Sequence, residues 1–148
     1  MCLVFTASKD LDRFQARFRS SPAVERVLWN DDTDVCVGVF APGLDEPRLI
    51  GEVISAARNI APDDQTTRIR LVLHEGLVSL TDGRFCGPAI TDARDLGVHS
   101  LRREAAGLRV VLTQRVFDDV SRLAPHVVSP EDFRHDETAP VPAHVSIW

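Results

Sequence analysis

The chain has 148 residues, of which 44% are hydrophobic and 26% are charged, and its formal net charge at pH 7 is −5. This length predicts one domain with a sizeable core, and this composition excludes a disordered or fibrous protein. The negative charge argues against nucleic acid as a partner, because contacts to phosphates usually require a basic surface. No apolar run reaches the roughly 20 residues that cross a bilayer, and the start MCLVFTASKD lacks the pattern of a signal peptide. We therefore expect a cytoplasmic protein without a membrane partner.

The spacing of the cysteines argues against a zinc or C-x-x-C site, and the scarcity of lysine indicates the type of genome. The three cysteines, Cys2, Cys36 and Cys86, are widely spaced and show neither C-x-x-C nor the Cys/His spacing of a zinc site. We expect them to be reduced thiols. Lys9 is the single lysine of the chain, and all other cationic side chains are arginines. This bias indicates a high-GC genome such as that of an actinobacterium.

The first elements are predicted to be a strand and a helix. Residues 2–7 (CLVFTA) form a short apolar run that is typical of a buried strand. Leu11, Phe14 and Phe18 then recur at helical spacing, which places them on one face of a helix that ends near Ser20.

A hairpin and a second helix follow. Residues 24–29 and 35–40 read as strands, and the intervening NDDTD segment is a turn because Asn and Asp favour bent backbone. An apolar stripe predicts a helix over about 46–59, with Pro47 in the first turn, where its missing N–H is harmless.

The second half continues with strands and helices in alternation. Residues 68–76 are predicted to be a strand, and Asp82-Gly83 marks the turn of a short hairpin. A helix is expected over about 88–96, and a second one over 98–105. Residues 109–113 read as a strand that leads into another helix.

Thr113 is expected to cap this last helix, and its shared apolar face consists of Val116, Phe117, Val120 and Leu123. Two weaker strands are expected near 131–135 and 143–148. The resulting order is β-α-β-β-α-β with further β and α pieces, which is the order of a ferredoxin-like α/β (α+β) core. No repeat or linker divides the chain, so residues 1–148 are expected to form a single domain.

Several motifs carry a family resemblance. Residues 70–76 (RLVLHEG) resemble a strand that ends in His-x-Gly, and residues 87–96 (GPAITDARDL) resemble the signature G-x-x-x-N-x-A-x-R-L. Residues 109–120 (RVVLTQRVFDDV) and 3–10 (LVFTASKD) resemble two further motifs of the same family, the class III nucleotidyl cyclases, especially those of actinobacteria. The resemblance implies the ferredoxin-like core of the cyclase catalytic domain, in agreement with the predicted element order.

The resemblance also implies where a metal site would lie. Cyclases of this class make a 3′,5′-cyclic nucleotide from ATP or GTP, and two aspartates hold the two divalent cations near the triphosphate. The corresponding residues here are Ala7 and Asp34. Ala7 has no ligand atom, so Asp34 is left as a vestigial ligand for Mg²⁺ or Mn²⁺, and no other cofactor is expected. The alternative for Asp34 is a plain turn aspartate.

Other site positions depart from the family in the same way. The asparagine and arginine that contact ribose and phosphates correspond to Thr91 and Asp95, and Asp95 reverses the charge. Arg94 lies one position earlier, about 100° around a helix. The base-recognition positions correspond to Asn30 and Arg84. The sequence thus predicts no catalytic residue and a vestigial nucleotide-binding site at Asp34, Arg84, Thr91 and Arg94.

His74 ends an apolar strand, and no nucleophile or carboxylate constellation is readable around it. A packed, hydrogen-bonded histidine is therefore expected in preference to a general base.

These departures predict a degenerate cyclase-homology domain. Active members of the family build their sites across a dimer, so a chain without the catalytic groups can keep the dimer surface. Our first hypothesis is a non-catalytic regulatory or signalling module that acts through a homodimer or a heterodimer with a cyclase-like or other signalling protein. One alternative is a nucleotide or small-ligand sensor without turnover. Another is a pseudo-subunit that supports an active class III cyclase.

Overall fold

The computed structural model describes residues 1–7, 11–31, 35–41, 43, 45–61, 66–102, 106–126 and 128–146, with the backbone alone at 2–7, 11 and 31. The elements of the first half are β1 (Cys2–Ala7), α1 (Leu11–Arg19), β2 (Val27–Asp31), β3 (Val35–Phe40) and α2 (Glu46–Ile60). Those of the second half are β4 (Arg68–His74), β5 (Ser79–Thr81), β6 (Arg84–Cys86), α3 (Pro88–Leu101), β7 (Gly107–Thr113), α4 (Gln114–Leu123), β8 (Phe133–Asp136) and β9 (Ala143–Ser146).

Seven strands form one sheet in the order β2-β3-β1-β4-β7-β9-β8. The pair β4–β7 is parallel, and the other neighbouring pairs are antiparallel. The first four strands of this sheet therefore have the order β4-β1-β3-β2, which is the split β-α-β arrangement of a ferredoxin-like core. The predicted α/β fold class is confirmed, and α3 supplies the crossover that adds β7 to the core.

The two faces of the sheet are covered differently, because strand side chains alternate between faces. Ile69, Leu71 and Leu73 point to the face that packs against α1, α2 and α4. Val72 points to the other face, which α3 covers over β1 and β4. The short β5–β6 hairpin lies on this α3 face and packs there through Val78 and Phe85.

The hairpin turn has the backbone that its sequence predicts. Asp82 and Gly83 both have positive φ, at 51° and 73°. Two successive residues with positive φ are characteristic of a type I′ turn, whose twist matches that of the flanking strands.

Two predictions about element boundaries are wrong. Val24 lies in a 3-10 turn (Pro22–Val24) whose start is capped by the Ser21 hydroxyl, so β2 begins only at Val27. The separate helices over 88–96 and 98–105 are the single helix α3, up to Leu101, because Gly97 is buried against the sheet and packing outweighs its low helix propensity. Residues 103–105 lie outside the described part.

The last predicted elements are shifted by local structure. A 3-10 turn (Pro130–Asp132) delays β8 to Phe133, and the described part of the last strand ends at Ser146. Thr113 stands at the start of α4, but its side chain makes no capping hydrogen bond. Its hydroxyl contacts a histidine of β4 instead.

No helix among the described residues is long and apolar enough to cross a membrane.

Candidate functional site

Of the two positions of the expected metal site, Ala7 lies at the end of β1. Asp34 itself lies outside the described residues, but Val35 next to it pairs with Thr6, which precedes Ala7. The backbone of Ala7 pairs with Ile69 at the start of β4. An alanine methyl group offers a cation no oxygen. These two positions together supply one carboxylate at most.

The expected transition-state positions lie on α3. Thr91 and Asp95 are exposed and share one helix face, and the Thr91 hydroxyl donates to the Gly87 carbonyl at 3.4 Å. Arg94 is half-buried and points to a different side of the helix. Arg94 therefore does not occupy the place of Asp95, because adjacent residues lie about 100° apart around a helix.

Ala7 and the start of α3 lie near opposite ends of β4. The Asp92 carboxylate, next to Thr91, is 3.7 Å from the His74 imidazole at the end of β4, whereas Ala7 pairs with Ile69 at its beginning. The five residue steps between Ile69 and His74 span roughly 17 Å of strand. One copy of the chain does not bring Ala7 and Thr91 together.

Arg84 occupies a third location. It is exposed on β6, opposite Thr81, in a two-stranded sheet separate from the central one. Asn30, its expected partner in base recognition, lies on β2 of the central sheet, opposite Val37. Both positions belong to the α3 side of the molecule.

His74 is held where β4, β7 and α3 meet. Its Nδ1 lies 3.2 Å from the Thr113 hydroxyl, and its Nε2 lies 3.7 Å from Asp92. Burial lowers the pKa of His74, against the opposing effect of Asp92 and Glu75. The expected packed, hydrogen-bonded histidine is observed. Thr113 is itself buried, so this cluster joins three elements and presents no exposed nucleophile.

Close packing next to His74 explains the glycine of the His-x-Gly motif. A Cβ atom on Gly76 would lie 2.9 Å from the Cβ of Ala89 and 3.5 Å from the His74 Nε2. Contacts shorter than about 3 Å require a neighbouring group to move. The motif thus has a packing reason in this chain.

Sequence reasoning missed a buried arginine at the other end of α3. The Arg70 guanidinium donates to the carbonyls of Ser100, Ile69 and Gly107 at 3.1, 2.9 and 3.2 Å. Burial, followed by the nearby charges of Arg109 and Arg68, lowers its pKa to about 10. The side chain remains charged at neutral pH and binds a carbonyl of the last helical turn of α3, where such groups lack helical partners. The only signal was an arginine inside an apolar strand.

The described residues contain no group of three or more His, Cys, Asp or Glu side chains placed to hold a metal ion. The expectation of Mg²⁺ or Mn²⁺ at Asp34 stays a prediction, because that residue lies outside the described part.

An open groove lies on the opposite side of the molecule. It has a volume of about 740 Å³ between α2 and the segment around Pro22, and its wall includes Arg48, Ser55, Asn59 and His126. Of the residues predicted for nucleotide binding, the three that the structure describes, Arg84, Thr91 and Arg94, do not line it.

Comparison with known proteins supports the fold. The chain is similar in structure to an adenylate/guanylate cyclase/hydrolase from Silicibacter pomeroyi, with a TM-score of 0.50 and 18% sequence identity, and the match covers 97% of this chain and 93% of the other. No protein-family model matches the sequence, and no curated protein matches it. At this identity the similarity shows the fold alone. The protein therefore has a cyclase-like fold.

Proposed function

We propose that the chain is a non-catalytic cyclase-fold module that acts through dimerisation. The proposal rests first on the residues at the cyclase positions. Ala7 and Asp95 stand where the family places a metal-binding aspartate and a phosphate-binding arginine, and one substitution removes a ligand while the other reverses a charge. The Asp95 carboxylate, in place of the arginine, repels the negative charge that develops on phosphate oxygens.

The observation that carries the proposed dimer is a set of exposed leucines on the α3 side. Leu77 and Leu80, at the hairpin, are 82% and 65% exposed, and Leu28 on β2 is 57% exposed. Leu28 pairs with Val39, which packs against the same core cluster as the hairpin residues Val78 and Phe85. Exposed apolar side chains that gather on one side of a soluble domain are typical of an interaction surface.

The fold gives a second reason to expect a dimer. Thr91 and Ala7 lie at opposite ends of one sheet, so any site that uses both positions needs two copies or a partner chain. A dimer formed through the α3 side would juxtapose α3 of one copy with the sheet of the other. The proposed module keeps this dimer but does not catalyse the cyclase reaction.

The dimer is tested by measuring the mass of the purified protein at several concentrations by light scattering or sedimentation. We expect a dimer for the wild type and a monomer for the double variant Leu77→Ser, Leu80→Ser. Leu123→Ser is the matched control, because Leu123 is 60% exposed but lies on α4, on the other face of the sheet. A monomeric wild type, or a double variant that stays dimeric, would contradict the proposed interface.

The lack of turnover is tested separately by incubation with ATP or GTP and Mn²⁺, followed by detection of cyclic nucleotide. We expect none, and product formation would overturn the proposal.

Thermal unfolding with the same nucleotides distinguishes the sensor, since a ligand at 100 times its Kd adds about 2.7 kcal/mol of stability. A higher unfolding midpoint with a nucleotide, without formation of cyclic nucleotide, would favour the sensor. A monomer that binds no nucleotide alone but joins an active cyclase would favour the pseudo-subunit.

A further inference from the structure

Two histidines face each other at the far edge of the sheet. His135 on β8 and His144 on β9 are direct partners in the antiparallel register. Their ring centroids are 5.1 Å apart, and the rings are tilted by 59°. His135 is exposed, and His144 is half-buried. The pair is therefore accessible from solvent.

The surroundings fix the orientation of His144. The Phe117 ring stacks on it, with centroids 3.8 Å apart and planes within 8°. Its Nε2 lies 2.9 Å from the Gln114 Oε1, and the Gln114 amide nitrogen donates to the Asp118 carboxylate at 2.8 Å. Asp118 thereby directs the Gln114 oxygen towards the histidine. A carboxylate that orients a ligand from behind is common around protein metal sites.

From this arrangement we propose that His135 and His144 form a surface binding site for a divalent cation of the Zn²⁺ class, with the Gln114 Oε1 as third ligand. Imidazole nitrogens suit Zn²⁺, Cu²⁺ and Ni²⁺, whereas Mg²⁺ requires oxygen ligands. Water would complete the coordination. This site is independent of the function proposed above, because it lies on β8, β9 and α4, away from the hairpin and α3.

The separation of the two rings fits such an ion. With Zn–N bonds of about 2.0–2.1 Å and tetrahedral angles, two imidazole centroids lie roughly 5.2 Å apart, and two ligand atoms roughly 3.4 Å apart. The centroid distance of 5.1 Å matches the first value. The 2.9 Å contact between Nε2 and Oε1 is a hydrogen bond in which Nε2 donates, so a cation bound by both atoms replaces this bond and moves the two atoms apart. The His144 ring then carries its proton on Nδ1, and Nε2 binds the cation.

The test is calorimetric titration of the tag-free protein at pH 7 with ZnCl₂, followed by the same titration with MgCl₂. We expect one Zn²⁺ per chain and no Mg²⁺ binding. Loss of an outer-shell partner alone typically weakens metal binding about 10- to 100-fold, so His135→Gln and His144→Gln should each weaken it at least about tenfold. Gln114→Ala should weaken it by a smaller factor.

His126→Gln is the matched control, because His126 is exposed and lies near α2. The His126→Gln variant should bind Zn²⁺ with the same affinity as the wild type. His135 is exposed, so His135→Gln remains informative even where His144→Gln alters the packing of Phe117; circular dichroism checks the fold of both. Absence of Zn²⁺ binding, or unchanged binding in His135→Gln, would overturn the proposal.

Discussion

The two faces of the central sheet differ in what covers them. The face under α1, α2 and α4 is filled with large apolar side chains such as Phe14, Phe18 and Ile50. The α3 face is packed with smaller side chains such as Ala89, Ala93 and Val72. It also carries polar groups, among them the buried Arg70 and the His74 cluster.

This difference separates the source of stability from the place of function. Large buried side chains contribute most of the apolar transfer free energy, about 25 cal/mol per Å² of buried surface. Small residues under α3 let the helix approach the sheet closely, and the exposed Thr91, Asp95 and hairpin leucines lie on that side. The first face therefore stabilises the fold, and the second presents the surface on which the proposed function depends.

The largest expected effect comes from the first face. Phe18 is fully buried, stacks on Phe14 with centroids 5.8 Å apart, and meets Trp29 edge-on at 6.2 Å. Phe18→Ala should lower the free energy of unfolding by about 3–5 kcal/mol, because it leaves a cavity that the sheet cannot fill. Urea unfolding measures this change. Leu77→Ala should change stability by no more than about 0.5 kcal/mol, and comparable losses in the two variants would contradict the division between faces.

An intermediate effect is expected at the start of α3. Gly87 has φ of 120°, and a Cβ there would lie 2.9 Å from the Leu77 carbonyl oxygen, at the base of the hairpin. Gly87→Ala combines strain with this clash and should cost about 1–3 kcal/mol, measured by thermal unfolding.

Gly83→Ala provides the control for Gly87, because Gly83 has φ of 73° but no atom within 4 Å of a new Cβ. It should cost less, since only backbone strain remains. Equal losses would mean that close packing between the hairpin and α3 contributes nothing.

The smallest effect is a pH dependence on the α3 face. The pKa of His74 is lowered from 6.5, mainly by burial, so the unfolded chain binds a proton more readily than the folded one. The resulting stability is complete above about pH 6.5 and is lost as the pH falls through the lower folded pKa. His74→Gln should reduce the slope of stability against pH between about 7 and 5. The comparison uses slopes, because the variant also loses the contact to Thr113.

His126→Gln is the control variant, because His126 is exposed and lies near α2, away from the His74 cluster. An identical slope in the wild type and in His74→Gln would show that the pKa of this histidine is the same in the folded and the unfolded chain.

Local patterns in the sequence were sufficient to predict most elements. Short apolar runs predicted β3 and β4, the apolar stripe predicted α2, and Asp82-Gly83 predicted the hairpin turn, because these signals depend on neighbouring residues. Errors arose where an element depends on contacts far along the chain. Gly97 lies inside α3 because the sheet packs against it, and the Thr113 side chain contacts His74, 39 residues away, instead of capping α4.

For the candidate site, the sequence by itself determined which chemical groups stand at the positions that resemble the cyclase motifs: a methyl group at Ala7, a hydroxyl at Thr91 and a carboxylate at Asp95. The order of elements also determined the ferredoxin-like core. Only the tertiary structure decided that Ala7 and Thr91 lie at opposite ends of one sheet, and that His135 and His144 meet across two strands. Distances between side chains depend on strand pairing and register, and these are set by the packing of the whole chain.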